Sequence, residues 1–152
     1  MIIKHTGNLN AYYLQTLAMI FFPGAKFPEN EPENADTIVI TLALTENASD
    51  VTAHAEIRQG DKTAVGDAVQ TRDDAIGDED RIRKIAAGHA FMIAGQTFTG
   101  FTSPWGIMTG VRPAKLVSEY LEHGKTPEEA ARILESEFFV TPVKASLAAT
   151  VA

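Results

Sequence analysis

Residues 51–58, VTAHAEIR, alternate without a fault: Val51, Ala53, Ala55 and Ile57 point one way, and Thr52, His54, Glu56 and Arg58 the other. Strict period-two alternation describes a strand with one dry and one wet face. It also pins the register, because a one-residue slip would turn every apolar side chain to water. Such a strand needs partners, and the flanking sequence supplies them. Gln59-Gly60-Asp61 is a hairpin turn leading into a weaker strand around 63–70. Upstream, DTIVITLALT (36–45) places Ile38, Ile40, Leu42 and Leu44 on one face, while Val39 and Ala43 suggest partial cover of the other. TENASD turns the chain between the two strands. The three segments predict an antiparallel meander with a single apolar face that something must cover.

Two helices are predicted to lie in reach. After MIIKH, a short strand over residues 1–5, Asn8 opens a segment with Leu9, Tyr12, Tyr13, Leu17, Ile20 and Phe21 at helical spacing, ended by Pro23-Gly24. The following FPENEPENAD is an acidic, proline-rich loop. RDDAIGDED (72–80) is a charged loop whose last three acids suit a helix N-terminus. Ile82, Ile85, His89, Met92 and Ile93 then mark a face running to about residue 95, with Gly88 as a weak point.

From Pro113 the chain reads as three short helices. Pro113 suits a first helical position, Leu116, Val117, Tyr120 and Leu121 form a stripe, and Gly124 caps the C-terminus. Thr126-Pro127-Glu128-Glu129 has the form of a capping box, with Ala130, Ile133, Leu134 and Phe138 continuing the stripe. Thr141-Pro142 begins a last helix bearing Val143, Leu147 and Val151, and the chain stops at LAATVA without a polar tail, as expected of a piece cut from something longer. The fold class expected is therefore α+β: an N-terminal helix plus antiparallel sheet, followed by a mainly helical C-terminal region. The expected division is a small α+β domain over 1–100 and a helical segment over 101–152.

Composition narrows the chemistry. There is no cysteine among 152 residues, which excludes a disulfide framework, a thiolate nucleophile and a cysteine-ligated zinc or iron–sulfur centre in this chain. A net charge of -7 weighs against nonspecific nucleic-acid binding. No stretch approaches the roughly 20 apolar residues that span a bilayer, and no signal peptide is legible. The expectation is a cytoplasmic chain with neither nucleic-acid nor membrane partner. His5, His54, His89 and His123 fall at no metal-ligand spacing. His89 reads as a core residue and His123 as a contact with a helix C-terminus. No catalytic constellation and no metal site are expected.

One stretch concentrates specialised residues: SPWGIMTGVRPAK, 103–115. Thr109, Gly110, Arg112 and Lys115 gather at the start of the Pro113 helix, where free amides and two cations can hold a carboxylate or phosphate. The competing reading is a packed corner, with Trp105 as a plug whose indole N–H bonds to backbone and Arg112 paired locally or covering apolar surface. The residue types favour the corner.

The same residues carry a resemblance. Pro104-Trp105-Gly106, a hydrophobic pair, Thr109-Gly110-Val111-Arg112-Pro113 and Lys115, followed by the Pro127-Glu128-Glu129 helix start, resemble the segment preceding the radical S-adenosylmethionine barrel in oxygen-independent coproporphyrinogen III oxidase-like proteins. The resemblance is specific over about 104–142 and weak over 1–100. It implies a parent enzyme that oxidatively decarboxylates propionate side chains of coproporphyrinogen III in haem synthesis. A [4Fe–4S] cluster and S-adenosylmethionine would serve in its barrel, on a CxxxCxxC motif. This chain has no such motif. It is expected to hold no cofactor, with 1–100 an accessory domain, 101–152 a bridge, and the parent's own barrel the partner. Arg112 and Lys115 would then brace that barrel or face a propionate carboxylate, with bracing preferred. The alternative is an independent, non-enzymatic binding module with a helix-turn-helix-like C-terminal region. Against it stands the 126–140 helix, with Arg132 alone against Glu128, Glu129, Glu135 and Glu137.

Overall fold

The first strand, β1 (Ile2–Thr6), runs parallel to β2 (Val39–Glu46), with Ile3 opposite Ile40 and His5 opposite Leu42. A parallel pair needs a crossover, and helix α1 (Ala11–Phe21) provides it. β2, β3 (Asp50–Gln59) and β4 (Lys62–Thr71) follow as the antiparallel meander expected from the alternation, giving a four-stranded mixed sheet in the order β1-β2-β3-β4. The sheet is thus antiparallel except at β1, whose direction the sequence left unspecified. The computed structural model describes residues 1–72, 78–108 and 113–152. The chain divides into two units, Met1–Phe101 and Thr102–Ala152. The architecture is α+β.

Local chemistry sets the element ends. Asn10, not Asn8, caps α1, accepting a hydrogen bond from the Tyr12 N–H at 2.7 Å, and the helix stops before Pro23, which disfavours helical geometry in the residue preceding it. β2 starts at Val39 rather than 36, because Asp36 and Thr37 are held in a turn on Asn34. Asn47 closes the β2–β3 turn, its side-chain oxygen accepting from the Ser49 and Asp50 amides at 2.8 Å each. Arg72, just past β4, fastens this corner: it donates to the Asn47 and Asp50 carbonyls and to Glu46 and Glu79.

Helix α2 (Glu79–Thr99) covers the apolar sheet face. Asp78 caps it through the Arg81 amide at 2.9 Å, as its acidic start suggests, and left-handed Gly100 ends it four residues beyond the expected limit. Its buried side is wider than the expected face and includes many small residues beside Ile82, Ile85, Phe91, Met92 and Phe98. Ala86, Ala87, Gly88, Ala90, Ala94 and Gly95 are buried, whereas His89 is only half-buried and Ile93 is exposed. Small residues bring the helix axis close to the strands. A Cβ on Gly66 of β4 would lie 2.2 Å from the Ala90 carbonyl oxygen. On the other side, a Cβ on Gly95 would lie 2.4 Å from the Phe21 ring, so α1 also seats directly on α2.

The second unit holds α3 (Pro113–Glu122), α4 (Pro127–Phe138) and α5 (Pro142–Val151). The capping box of α4 forms as expected: Glu129 N–H donates to Thr126 Oγ1 at 3.1 Å, and Thr126 N–H to the Glu129 carboxylate at 3.3 Å. Gly124, at φ 82°, ends α3, and the Lys125 amide closes the cap on the Tyr120 carbonyl.

Candidate functional site

The Ser103–Met108 stretch is a packed corner built on the α4–α5 junction. Ile107 N–H donates to the Phe138 carbonyl at 2.9 Å, and Thr141 donates through both its amide and its hydroxyl to the Pro104 carbonyl, at 3.0 and 3.1 Å. The first of these bonds satisfies a carbonyl that the end of α4 leaves without a helical partner. Gly106, at φ 58°, has no room for a side chain: a Cβ would lie 1.8 Å from the Phe138 carbonyl oxygen. Trp105 is half-buried rather than a core plug, and the Lys144 ammonium stands 5.4 Å from its ring centroid.

Of the four residues predicted for anion binding, Thr109, Gly110 and Arg112 lie outside the described residues. Lys115 is exposed in the first turn of α3. The structure therefore places only Lys115.

Other polar pairs occur in both units. His54 Nδ1 meets Asp67 Oδ1 at 2.6 Å across the β3–β4 ladder, on the open sheet face. His123, just past the end of α3, bonds through Nδ1 to the Glu119 carbonyl at 2.7 Å, near a helix C-terminus as expected. Tyr13 donates to the Lys84 carbonyl at 3.2 Å, and desolvation, helped by the Asp80 charge, pushes its pKa up, so it stays a neutral tether between α1 and α2. Two cavities, of about 320 and 250 Å³, flank Met1 under the 22–38 loop. The buried hydroxyl in the larger one, Thr37, is already committed to the Pro32 carbonyl and the Asn34 amide.

One cluster was missed at the sequence level. Glu33 of the acidic loop straps over the open sheet face, its carboxylate meeting Arg58 Nη2 at 2.7 Å and Lys4 Nζ at 3.4 Å. The signal was present in opposite charges on outward strand positions facing an acidic loop. The Arg58 hydrogen bond, then that of Lys4, holds the Glu33 carboxyl below its ordinary pKa. A depressed folded-state pKa contributes stability above the unfolded pKa, and that contribution is lost as pH falls through the folded value. Acidification through and below the ordinary carboxylate range is expected to release the strap, speeding amide exchange in residues 31–36. Glu33→Gln is expected to show the fast exchange already at neutral pH. Identical exchange profiles for the two proteins would show that the strap carries no such linkage.

The residues present do not fit an iron–sulfur cluster. The chain has no thiolate donor, and among the described residues no three His, Cys, Asp or Glu side chains converge as metal ligands. Among those residues, too, no helix is long and apolar enough to cross a membrane.

No family model and no solved structure matches the chain. Among curated proteins, it is 28% identical over 141 residues to the "Oxygen-independent coproporphyrinogen-III oxidase-like protein HemZ" of Bacillus subtilis (strain 168), covering 88% of this chain and 26% of that protein. The match bears out the resemblance carried by the Pro-Trp-Gly and Thr-Gly-Val-Arg-Pro motifs, and it reaches well beyond them into the first unit. The chain is thus a distant homologue of this oxygen-independent coproporphyrinogen-III oxidase-like protein, spanning about a quarter of its length.

Proposed function

We propose that this chain is a non-catalytic accessory portion of a coproporphyrinogen dehydrogenase of haem biosynthesis. The propionate side chains would be oxidatively decarboxylated on a radical S-adenosylmethionine barrel supplied by the rest of the enzyme. The observation that carries the reading is the pairing of HemZ-like sequence over 88% of the chain with no cysteine anywhere in it. An iron–sulfur cluster is held by cysteine thiolates, so the chemistry must be housed elsewhere. The corner geometry supports a structural role for 104–107, because the backbone of Pro104 and Ile107 is used in joining α4 to α5. Within this reading, Arg112 and Lys115 brace the barrel of the longer enzyme and do not grip a substrate carboxylate.

The test is turnover under anaerobic, reducing conditions with S-adenosylmethionine. The chain alone is expected to leave coproporphyrinogen III unchanged, and the same region joined to a cysteine-bearing remainder to consume it. In that longer enzyme, joint Arg112→Ala and Lys115→Ala substitution is expected to leave KM unchanged while lowering the melting temperature. Turnover by the chain alone would overturn the reading, and a rise in KM would overturn the bracing role.

A further inference from the structure

Helix α5 is turned inside out with respect to its own unit. Its buried residues are Ala145 and Ala148, whereas Val143, Leu147 and Val151 are 77%, 49% and 65% exposed. Residues four apart stack on one helix face, so these three make a single aliphatic stripe. A surface helix ordinarily turns its large apolar residues toward the core and its small or polar ones outward. Here the alanines face α3 and α4, and the bulky aliphatics face away. The helix carries one charge, Lys144, whose ammonium is drawn over Trp105. The outward stripe therefore carries no charge.

We infer that the Val143–Leu147–Val151 face of α5 is a docking surface for an aliphatic- or aromatic-lined patch on the remaining portion of the longer enzyme. This rests on the accessory reading above. Two observations select the occupant. The homologous protein extends far beyond the matched part, which is only 26% of it, so most of its surface lies outside this region. A second copy is a poor fit: a ten-residue helix is about 15 Å long, and one stripe on it falls well short of the roughly 1,200 Å² that a specific stable interface buries.

The experiment pairs Val143→Gln with Leu147→Gln, which keeps helix propensity, in both the 152-residue chain and the longer enzyme. The chain alone is expected to keep its melting temperature and its size by light scattering. In the longer enzyme, protease cleavage within 102–152 is expected to rise roughly tenfold, as two aliphatic side chains leave an apolar contact. A lower melting temperature in the chain alone would mean the face is covered within the chain. A dimer that falls apart on substitution would mean a second copy covers it. Either result overturns the inference, as does unchanged cleavage in a longer enzyme that still turns over coproporphyrinogen. All three leave the accessory reading untouched, whereas an unsubstituted longer enzyme without turnover removes that reading and this inference with it.

Discussion

Gly66→Ala is expected to cost the first unit about 3 kcal/mol, near the top of the range for an overpacked core. The position lies mid-strand, opposite Ala55, and needs no unusual backbone. What it needs is space: an added methyl would stand 2.2 Å from the Ala90 carbonyl oxygen and 2.9 Å from the Ala94 nitrogen. Both are backbone atoms of a 21-residue helix, so no side chain can swing aside, and α2 must lift from the sheet. A fall in melting temperature on the order of 10–20 °C follows for a unit of this size. Val65→Ala is the control, since its side chain is exposed on the opposite face, and it is expected to stay within about 0.5 kcal/mol. A Gly66→Ala protein that melts with the control would mean that α2 does not press on β4 as described.

Gly106→Ala is expected to unfold the second unit while leaving the sheet intact. Two costs coincide there. Its φ of 58° lies in the left-handed region, which costs a residue with a side chain on the order of 1 kcal/mol, and the new methyl would collide with the Phe138 oxygen and the Phe139 carbonyl carbon. Phe139, itself at φ 54°, is held there by the same corner, so the strain cannot be passed along. The second unit spans residues 102–152, a size at which a hydrophobic core supplies only a few kcal/mol. Gly124→Ala separates the two costs: its φ is 82°, yet nothing lies within 4 Å of an added Cβ. It should show the conformational cost alone, about 1 kcal/mol. Amide protection in α3–α5 is the readout, with loss in Gly106→Ala and retention in Gly124→Ala. Equal protection in both would contradict the packed corner.

These two glycines also mark where sequence reading stopped. The meander was legible because β3 keeps apolar and polar residues in strict alternation. β4 looked weak because its inward residues, Ala64, Gly66, Ala68 and Gln70, are small or polar, while its large ones, Val65 and Val69, face outward. Hydrophobicity measures transfer from water and says nothing of a helix pressed so close that only small residues fit. The same blindness moved the expected face of α2 onto His89 and Ile93. It also hid the reversal in α5, where apolar spacing alone cannot say which side meets the core. The direction of β1 depends on a crossover, a tertiary fact with no local signal. Helix starts fared better at Asp78 and Thr126, because their caps are local hydrogen bonds written in neighbouring residues. At the candidate site, the corner was legible from its glycines and prolines. The Glu33 strap joins residues 29 and 25 positions apart, which no local pattern links.

The claim that matters most is that the chemistry of the HemZ-like enzyme does not reside in this chain. Iron and acid-labile sulfide, measured after anaerobic reconstitution of the purified chain, test it directly. The account predicts neither in stoichiometric amount and no iron–sulfur charge-transfer absorbance. A brown protein with four irons and four sulfides per chain, as a [4Fe–4S] cluster would require, would contradict it.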